Sequence, residues 1–338
     1  MKGFSIIIVT WNALEHLKNF LPSVTKTDYP NFEIIIADNA SDDGSKEWIK
    51  STYPEIKIAS FDRNYGYCGG NNRAVPFAEK EILLFLNNDV KVEKDWLYGL
   101  NKAFDDDLVA AAQPKMRSVT ESDHFEYAGA AGGFIDKYGY TFCRGRIFDE
   151  VEKDEGQYDD KTDLFWASGA ALAIRKDLFL KSGGFDEVFE FHMEEIDLCW
   201  RMQNQGFKIT YAPESVVYHL GGGSLPMGSP RKVFYNFRNS LFMLWKNYSS
   251  TSLRKRFLLR IFLDIVAAWK ALLEGKPKEW LAVARAHVHF LRSLGDLTRK
   301  RKALQQKRVT DDDPKTMLDI SLIWQHFVKG VKKFSHLK

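Results

Sequence analysis

Short apolar runs open this chain and helical periodicities close it. The run Ile82-Leu83-Leu84-Phe85-Leu86 follows Glu81 and precedes Asn87-Asn88-Asp89, which predicts a strand buried on both faces, as in a parallel sheet covered by helices. Runs over Phe4 to Thr10 and Phe32 to Ala37, and a weaker one over Ile56 to Ser60, predict three more strands. Leu14, Leu17 and Leu21 are spaced as on an amphipathic helix, and Ser41 to Ser45 offers N-cap residues before a short helix through Trp48. The glycine and amide segment Asn64 to Asn72 is expected to be a loop leading into a helix around Ala74 to Glu79. Trp96 to Phe104 predicts a helix and Leu108 to Ala112 a strand. Strands and helices alternating at this spacing argue for βαβ units, and so for an α/β fold with a mostly parallel sheet.

The pattern loosens over residues 113 to 163, where loops and short strands are expected. Phe165 to Ile174 predicts a strand, Lys176 to Lys181 a helix stopped by Gly183-Gly184, and Phe191 to Arg201 runs into a helix ended by Gly206. Lys208 to Tyr211 and Val216 to His219 read as two closing strands, followed by a flexible Gly221-Gly222-Gly223-Ser224. A boundary is expected near residue 245. Beyond it, Phe257, Ile261, Ile265, Ala268, Trp269 and Leu272 fall at helical spacing, and Trp280 to Leu294 and Met317 to Phe334 repeat the pattern.

Charge divides the chain in the same place. Residues 231–338 hold 24 Lys and Arg against 8 Asp and Glu, a net of +16, while residues 1–230 are net −13. Basic amphipathic helices carrying Trp and Phe can lie in a membrane interface, or pack on the core or against a second copy of the chain. The longest uncharged apolar stretch, Leu164 to Ile174, is too short to span a bilayer, and Ile6 to Val9 is too short for a signal peptide. Three separated cysteines, Cys68, Cys143 and Cys199, suggest neither a disulfide framework nor a zinc site, so a reducing cytoplasm is expected.

Polar residues gather where predicted strands end. Asp38 closes the second strand, Asn64 and Gly66 follow the third, Asn88 and Asp89 follow the fourth, and Glu194, Glu195, Asp197 and His219 come later. In open α/β sheets ligands collect outside the carboxyl ends of strands. A diphosphate there needs a hard cation, and Mg²⁺ or Mn²⁺ binds through one or two carboxylates plus phosphate oxygens, with Mn²⁺ favoured where an imidazole takes part. The alternatives are structural: Asn87 to Asp89 as a turn, Asp38 and Asp43 as helix caps, and His219 as a satisfied core histidine.

In order and spacing, Val9-Thr10-Trp11-Asn12, Ala37-Asp38-Asn39-Ala40-Ser41-Asp42-Asp43-Gly44-Ser45, Arg63-Asn64-Tyr65-Gly66, Leu86-Asn87-Asn88-Asp89-Val90, Gly183-Gly184-Phe185-Asp186-Glu187 and Glu194-Glu195-Ile196-Asp197-Leu198-Cys199-Trp200-Arg201 resemble the successive blocks of family-2 glycosyltransferases, in particular the rhamnosyltransferase-like branch. The resemblance implies a GT-A, Rossmann-like fold over residues 1–245, with a nucleotide-binding half (1–112), an acceptor-binding half (113–245) and a basic amphipathic helical extension (246–338). It also implies that Thr10, Asn12, Asp38, Asn64, Gly66, Asn88 and Asp89 hold the nucleotide-sugar, that Asp89 and His219 hold the cation, and that Glu195 acts as base with Glu194 as rival. Asp38 can accept the imide N–H of uracil or thymine, which points to a dTDP- or UDP-sugar. Trp166, Asp186 and Asp197 are candidates for sugar or acceptor contact, with Trp166 alternatively in the core and Asp197 on the helix dipole. Two positions depart from the pattern: Asn87 stands where the family's D-x-D has its first Asp, and Glu195 where Asp is usual.

These readings imply an inverting transfer of a sugar, rhamnose first among them, to a hydroxyl of a glycan or lipid-linked acceptor in cell-surface polysaccharide synthesis, reached from the cytoplasmic face of the membrane. A nucleotidyltransferase would need a glycine-rich loop after the first strand, and Thr10-Trp11-Asn12 has no glycine. No base-reading signature for nucleic acid appears, and the apolar stripes of the basic tail argue against that partner. A nucleotide-sugar binder without turnover stays open because of Asn87 and Glu195.

Overall fold

A computed structural model describes residues 1–221 and 228–337. Gly222, Gly223 and Ser224 of the expected glycine-rich loop lie outside the described residues. In chain order the elements of the first half are β1 (Phe4–Thr10), α1 (Leu14–Thr25), β2 (Phe32–Asp38), α2 (Ser45–Thr52), β3 (Lys57–Ser60), α3 (Gly66–Ala74), β4 (Ile82–Leu86), β5 (Val90–Val92), α4 (Trp96–Ala103) and β6 (Val109–Ser118). There follow β7 (Gly133–Asp136), β8 (Thr141–Cys143), β9 (Arg146–Ile147), β10 (Glu150–Val151), β11 (Asp163–Leu164), β12 (Ala171–Arg175), α5 (Lys176–Lys181), α6 (Glu194–Asn204) and β13 (Lys208–His219). The chain closes with α7 (Pro230–Asn247), α8 (Ser250–Leu273), α9 (Pro277–Gln305) and β14 (Met317–Leu318).

The central sheet runs β11-β13-β6-β12-β4-β1-β2-β3, with β5 also paired to β13. It is parallel from β4 through β3 and between β13 and β6, whereas β12 is antiparallel to both β4 and β6. The alternation of β4 explains its continuous apolar run. Ile82, Leu84 and Leu86 join the core under α1 and α4, while Leu83 and Phe85 face a second core that reaches α6 and α7. Both faces are dry, so neither strand face can be polar. A smaller sheet, β10-β9-β8-β7-β14, occupies the loosely patterned middle of the chain.

Four expectations change. The glycine and amide segment is itself helical, α3, and the helix foreseen at Ala74 to Glu79 shrinks to one 3₁₀ turn at Val75–Phe77, which contains Pro76. Its glycines permit close packing: a Cβ on Gly70 would sit 2.9 Å from Asn39 Nδ2 and 3.0 Å from Val9 Cγ1. The strand foreseen at Phe165 to Ile174 begins only at Ala171, because Ser168 makes a turn to Ala171 and donates its own N–H to buried Gln113 Oε1 at 2.7 Å. The two closing strands are one, β13, with a register shift between Ala212 and Val216 around Pro213, which has no N–H to pair.

The last expected helix is absent. Met317–Leu318 pairs with β7, Trp324–Val328 makes a single π turn ending before Gly330, and Phe334 inserts among Phe134, Phe142 and Tyr158. Aromatic anchoring to the small sheet overrides the helical spacing there. Helices α7 to α9 are clasped to the body by guanidinium groups. Arg301 donates to the carbonyls of Trp245 and Tyr248 at 2.8 and 2.7 Å, and Arg260 to those of Tyr138 and Gly139 at 3.1 and 3.2 Å.

Candidate active site

The carboxyl ends of β1 and β2 form the first part of the site. Thr10 and Asp38 are register partners, both buried, and the Asn39 N–H donates to the Thr10 carbonyl at 2.9 Å. Asp38 Oδ1 accepts the Ser41 N–H at 3.1 Å, while Thr10 Oγ1 is buried with no hydrogen-bond partner among the described residues. Asn12 takes a left-handed backbone (φ +48°), donates its N–H to Ser41 Oγ and accepts the Asp42 N–H at 2.9 Å. Asn39 ties this rim to α3: its Nδ2 donates to the Gly66 carbonyl at 3.1 Å, and Asn64 Oδ1 accepts the Gly66 N–H at 2.8 Å. Thr10, Asn12, Asp38, Asn64 and Gly66 therefore share one rim. Asp43 instead has the capping role, accepting the Leu14 N–H at the start of α1 and the Ser45 N–H at the start of α2.

The second part lies beyond β4. After Leu86 the chain turns through Asn87 and Asn88, with the Val90 N–H donated to the Asn87 carbonyl, and β5 then pairs antiparallel with β13 so that Val90 faces His219. This brings His219 Nε2 to 3.2 Å from Asp89 Oδ1 and 3.5 Å from Asn87 Nδ2. On the other side of the ring, His219 Nδ1 lies 3.2 Å from Glu126 Oε1. Burial pushes the His219 imidazole down, but the two carboxylates outweigh it and hold it up at about 10. Burial pushes the Asp89 carboxyl up, and the bond and charge of His219 more than reverse this, leaving it below the usual range.

These residues suit a divalent cation. Asp89 offers a carboxylate oxygen and His219, once a cation displaces the proton that Asp89 and Glu126 favour, a nitrogen, with Glu126 behind the imidazole as the carboxylate that fixes a ligating ring. Glu126 was not foreseen; it sits in the stretch without periodicity, and no motif marks it. Among the described residues no group of three or more His, Cys, Asp or Glu side chains is placed to hold a metal ion by itself.

The third part is the acid pair at the start of α6. His192 and Met193 both have left-handed backbones, φ +65° and +73°, which non-glycine residues adopt only when held there. Asn239 of α7 does the holding, donating its Nδ2 to the Phe191 and His192 carbonyls at 2.6 and 2.9 Å. Burial and the charge of Glu195 push the Glu194 carboxyl well above the usual range, while burial raises Glu195 to about 7. Glu194 Oε2, Glu195 Oε2 and His192 Nε2 are buried without hydrogen-bond partners among the described residues.

One short segment joins the second and third parts. The Asn87 N–H donates to the Ala170 carbonyl at 3.0 Å, and the neighbouring Gly169 accepts Tyr67 Oη at 2.6 Å. A Cβ on Gly169 would lie 3.8 Å from Glu195 Cβ. Beside Tyr67 a groove of about 320 Å³ is lined by Asn64, Tyr65, Gly66, Cys68, Glu187, Phe189, Glu190 and Phe191, so the Asn64–Gly66 end of the rim and the loop before the acid pair form its two walls. A larger groove of about 510 Å³, lined by Glu81 and Arg175 among others, lies at the amino end of β4, away from the carboxyl ends of β1, β2 and β4.

The three acceptor candidates are placed otherwise. Trp166 is buried, donates its indole N–H to the Phe134 carbonyl at 2.9 Å and lies against Gly133, so neither face is open to a sugar. Asp197 is fully buried, bonded to Arg201 Nε at 2.8 Å, Asn247 Nδ2 at 2.7 Å and Lys246 Nζ at 2.9 Å. Asp186 is paired with Lys246 and Lys300 at 2.7 and 2.6 Å; burial pushes its carboxyl up, but the two ammonium groups hold it well below the usual range. In this structure all three make structural contacts: a buried indole, a buried ion-pair network at Asp197 and a half-buried one at Asp186.

A mixed α/β sheet with polar strand ends, a carboxylate-imidazole pair and a raised carboxylate opposite them is the layout of a GT-A nucleotide-sugar enzyme. Residues 5–179 match the model of the family described as glycosyl transferase family 2, and the chain belongs to that family. It is 26% identical over 228 residues to the O-antigen biosynthesis protein RfbC of Myxococcus xanthus, covering 64% of this chain but only 17% of that one. It is 25% identical over 237 residues to the N-acetylglucosaminyl-diphospho-decaprenol L-rhamnosyltransferase of Mycobacterium tuberculosis, covering 63% of this chain and 75% of that one. Rhamnosyltransferase WbbL of Escherichia coli K12 is 27% identical over 222 residues, 63% of this chain and 82% of that one. In fold, the chain is similar to GalNAc-T7, solved with UDP, GalNAc and Mn²⁺ (TM-score 0.59, 17% identity, 75% of this chain and 49% of that one). It is also similar to residues 1–349 of S. aureus TarS, solved with UDP-GlcNAc (TM-score 0.55, 17% identity, 90% of each chain).

Proposed function

We propose that this protein is an inverting glycosyltransferase. It moves a sugar, rhamnose as our first choice, from a dTDP- or UDP-sugar to a hydroxyl of a glycan or lipid-linked acceptor at the cytoplasmic face of a membrane, in cell-surface polysaccharide synthesis. The observation that carries the reading is the buried acid pair with Glu195 poised at about 7, joined through Gly169 and Ala170 to the Asp89–His219–Glu126 cluster. The names of the relatives in Mycobacterium tuberculosis and Escherichia coli support rhamnose.

In this mechanism Glu195 accepts the proton of the acceptor hydroxyl. The oxygen forms a bond to the anomeric carbon from the face opposite the diphosphate, and the bond from that carbon to the diphosphate oxygen breaks with its electron pair on the nucleoside diphosphate. Glu194, whose carboxyl is pushed well above the usual range by burial and by the charge of Glu195, holds its proton more tightly than a free carboxyl and so leaves Glu195 the proton acceptor. Asp38 and Thr10 hold the base and ribose, with Asn12, Asn64 and Gly66 along the rim and Asn88 beside the phosphates. Asp89 and His219 would hold a divalent cation, Mn²⁺ or Mg²⁺, which when bound neutralises the charge of the leaving diphosphate.

The test is a thermal-stability screen of nucleotide-sugars with and without Mn²⁺, since a ligand bound only by the folded state raises its stability by mass action. A cation-dependent rise with a dTDP- or UDP-sugar is expected. No rise with any pyrimidine nucleotide-sugar would sink the reading.

A further inference from the structure

Helix α8 is built inside out. Its inward positions include Arg260 and Asp264, paired at 2.8 Å and both buried, with Arg260 also stacked 4.3 Å over the Tyr140 ring and His287 Nε2 3.5 Å from Asp264. Its outward positions are apolar: Leu258, Phe262, Ile265, Val266, Trp269 and Leu273 are 75, 58, 44, 48, 55 and 87% exposed. At 100° per residue these six fall within an arc of about 100°, a continuous stripe roughly 20 Å long. The helix cannot roll to bury it, because rolling would expel the ion pair and the carbonyl contacts of Arg260 from the protein.

The stripe continues onto its neighbours. Trp269 meets Trp280 at the start of α9 with ring centroids 6.3 Å apart, and Lys270 Nζ lies 5.1 Å over the ring of Phe327, which with Trp324 and Val328 is more than half exposed. Arg254 and Lys255 are exposed at the other end of α8. No helix among the described residues is long and apolar enough to cross a membrane.

We infer that the outer face of α8, extended by Trp280 and Trp324–Val328, seats the protein in the headgroup region of an anionic lipid leaflet. Exposed Trp, Phe and Leu on one side of a helix with cationic groups at its margins is the composition of a helix lying in a membrane interface. Charge selects this occupant over a second copy of the chain: the region from residue 231 onward is net +16, so face-to-face copies repel while a leaflet of phosphatidylglycerol attracts. The inference rests on the proposed function only in giving the seat a purpose, which is to hold the cleft at the surface where a lipid-linked acceptor is presented.

Flotation of the full chain with vesicles of phosphatidylcholine alone, or mixed with phosphatidylglycerol, tests the seat. Wild-type protein is expected to float with the anionic vesicles and to be released by salt. The double variant Phe262→Ser/Trp269→Ser is expected to lose about tenfold or more of that partitioning, and Arg254→Gln/Lys255→Gln to lose binding at lower salt. Both should keep the wild-type melting temperature, which shows that the fold is intact. Equal flotation of the Phe262→Ser/Trp269→Ser variant and wild type, or no flotation at all, overturns the inference. So does a concentration-dependent dimer that this variant abolishes. Vesicle binding in a protein that no nucleotide-sugar stabilises would leave the seat standing and remove the proposed reaction.

Discussion

Glu126 Oε1 lies 3.2 Å from His219 Nδ1, so the imidazole is pinned between this carboxylate and Asp89. Asn87, in place of a second acid, leaves Asp89 with one fewer carboxylate neighbour, and the orientation of His219 gains weight accordingly. Replacing Glu126 with Gln removes the carboxylate that fixes the ring and raises its basicity. Mn²⁺ affinity, read by metal titration of thermal stability in the presence of a nucleoside diphosphate, should fall about 10- to 100-fold. An unchanged affinity would show that Glu126 only fills space.

The acid pair gives opposite pH trends for turnover and stability. Burial raises Glu195 from 4.5 to about 7, so over that window the folded protein binds a proton that the unfolded chain has released. Its contribution to stability is therefore fully present below about 4.5, declines as pH rises, and is gone above about 7. Turnover, which needs the ionised base, should rise through the same window. Glu195→Gln should lower turnover by a factor of about 10² to 10⁴ and flatten the pH dependence of the melting temperature. Glu194→Gln should retain most turnover, since burial and the charge of Glu195 already favour the neutral form of Glu194. The reverse ranking would assign the base to Glu194. The groups nearest the pair, Tyr67 and Cys68, are both pushed up by burial and stay neutral across this range.

What sequence pattern could and could not reveal follows from physics. Strands β1, β2 and β4 were legible because burial on both faces forces unbroken apolar runs, and the positions of Asp38 and Asp89 beyond β2 and β4 follow from them, whereas Glu194 and Glu195 showed only as adjacent acids opening a helix. Glu126 was invisible: it meets His219 because its N–H bonds to the Met116 carbonyl of β6 and β6 pairs with the distant β13, which no local spacing encodes. The helical nature of α3 was hidden by its glycines, ordinarily helix breakers, which here serve close contact with β1 and β2. Trp166 and Asp197 carry two readings in the sequence for a related reason. An indole and a carboxylate near a site look functional until the Phe134 carbonyl and the Lys246 and Arg201 charges that satisfy them are seen.

Asp197 should accordingly behave as a structural residue. It neutralises Lys246 and Arg201, both buried, the latter also donating to the Ser182 and Gly184 carbonyls. Asp197→Ala leaves Arg201 without a counter-ion in a dry interior and Lys246 with Asp186 alone, and the expected loss is roughly 3–5 kcal/mol by chemical denaturation. Asp197→Asn should lose less, because the amide oxygen can still accept from Arg201. At a temperature where either variant is folded, nucleotide-sugar affinity should match wild type. A variant that folds normally but loses only acceptor saturation would restore the acceptor role.

Gly70 offers a test of how tightly the nucleotide rim depends on α3. Its missing Cβ is the space in which Asn39 Nδ2 and Val9 Cγ1 sit, at 2.9 and 3.0 Å from where a methyl would be. Asn39 is the side chain that reaches from the end of β2 to the Gly66 carbonyl, and its own N–H holds the Thr10 carbonyl. Gly70→Ala must therefore push α3 off the sheet or turn Asn39 away, and both loosen the rim that holds Thr10, Asp38 and Gly66 together. The expected loss of stability is about 1–3 kcal/mol, as for overpacking, partly offset by alanine's higher helix propensity. Nucleoside diphosphate affinity should fall as well, whereas Gly295→Ala in α9, where an added Cβ meets nothing within 4 Å, should raise stability and leave affinity alone. Equal effects of the two substitutions on affinity would show that the rim does not rely on the close approach of α3.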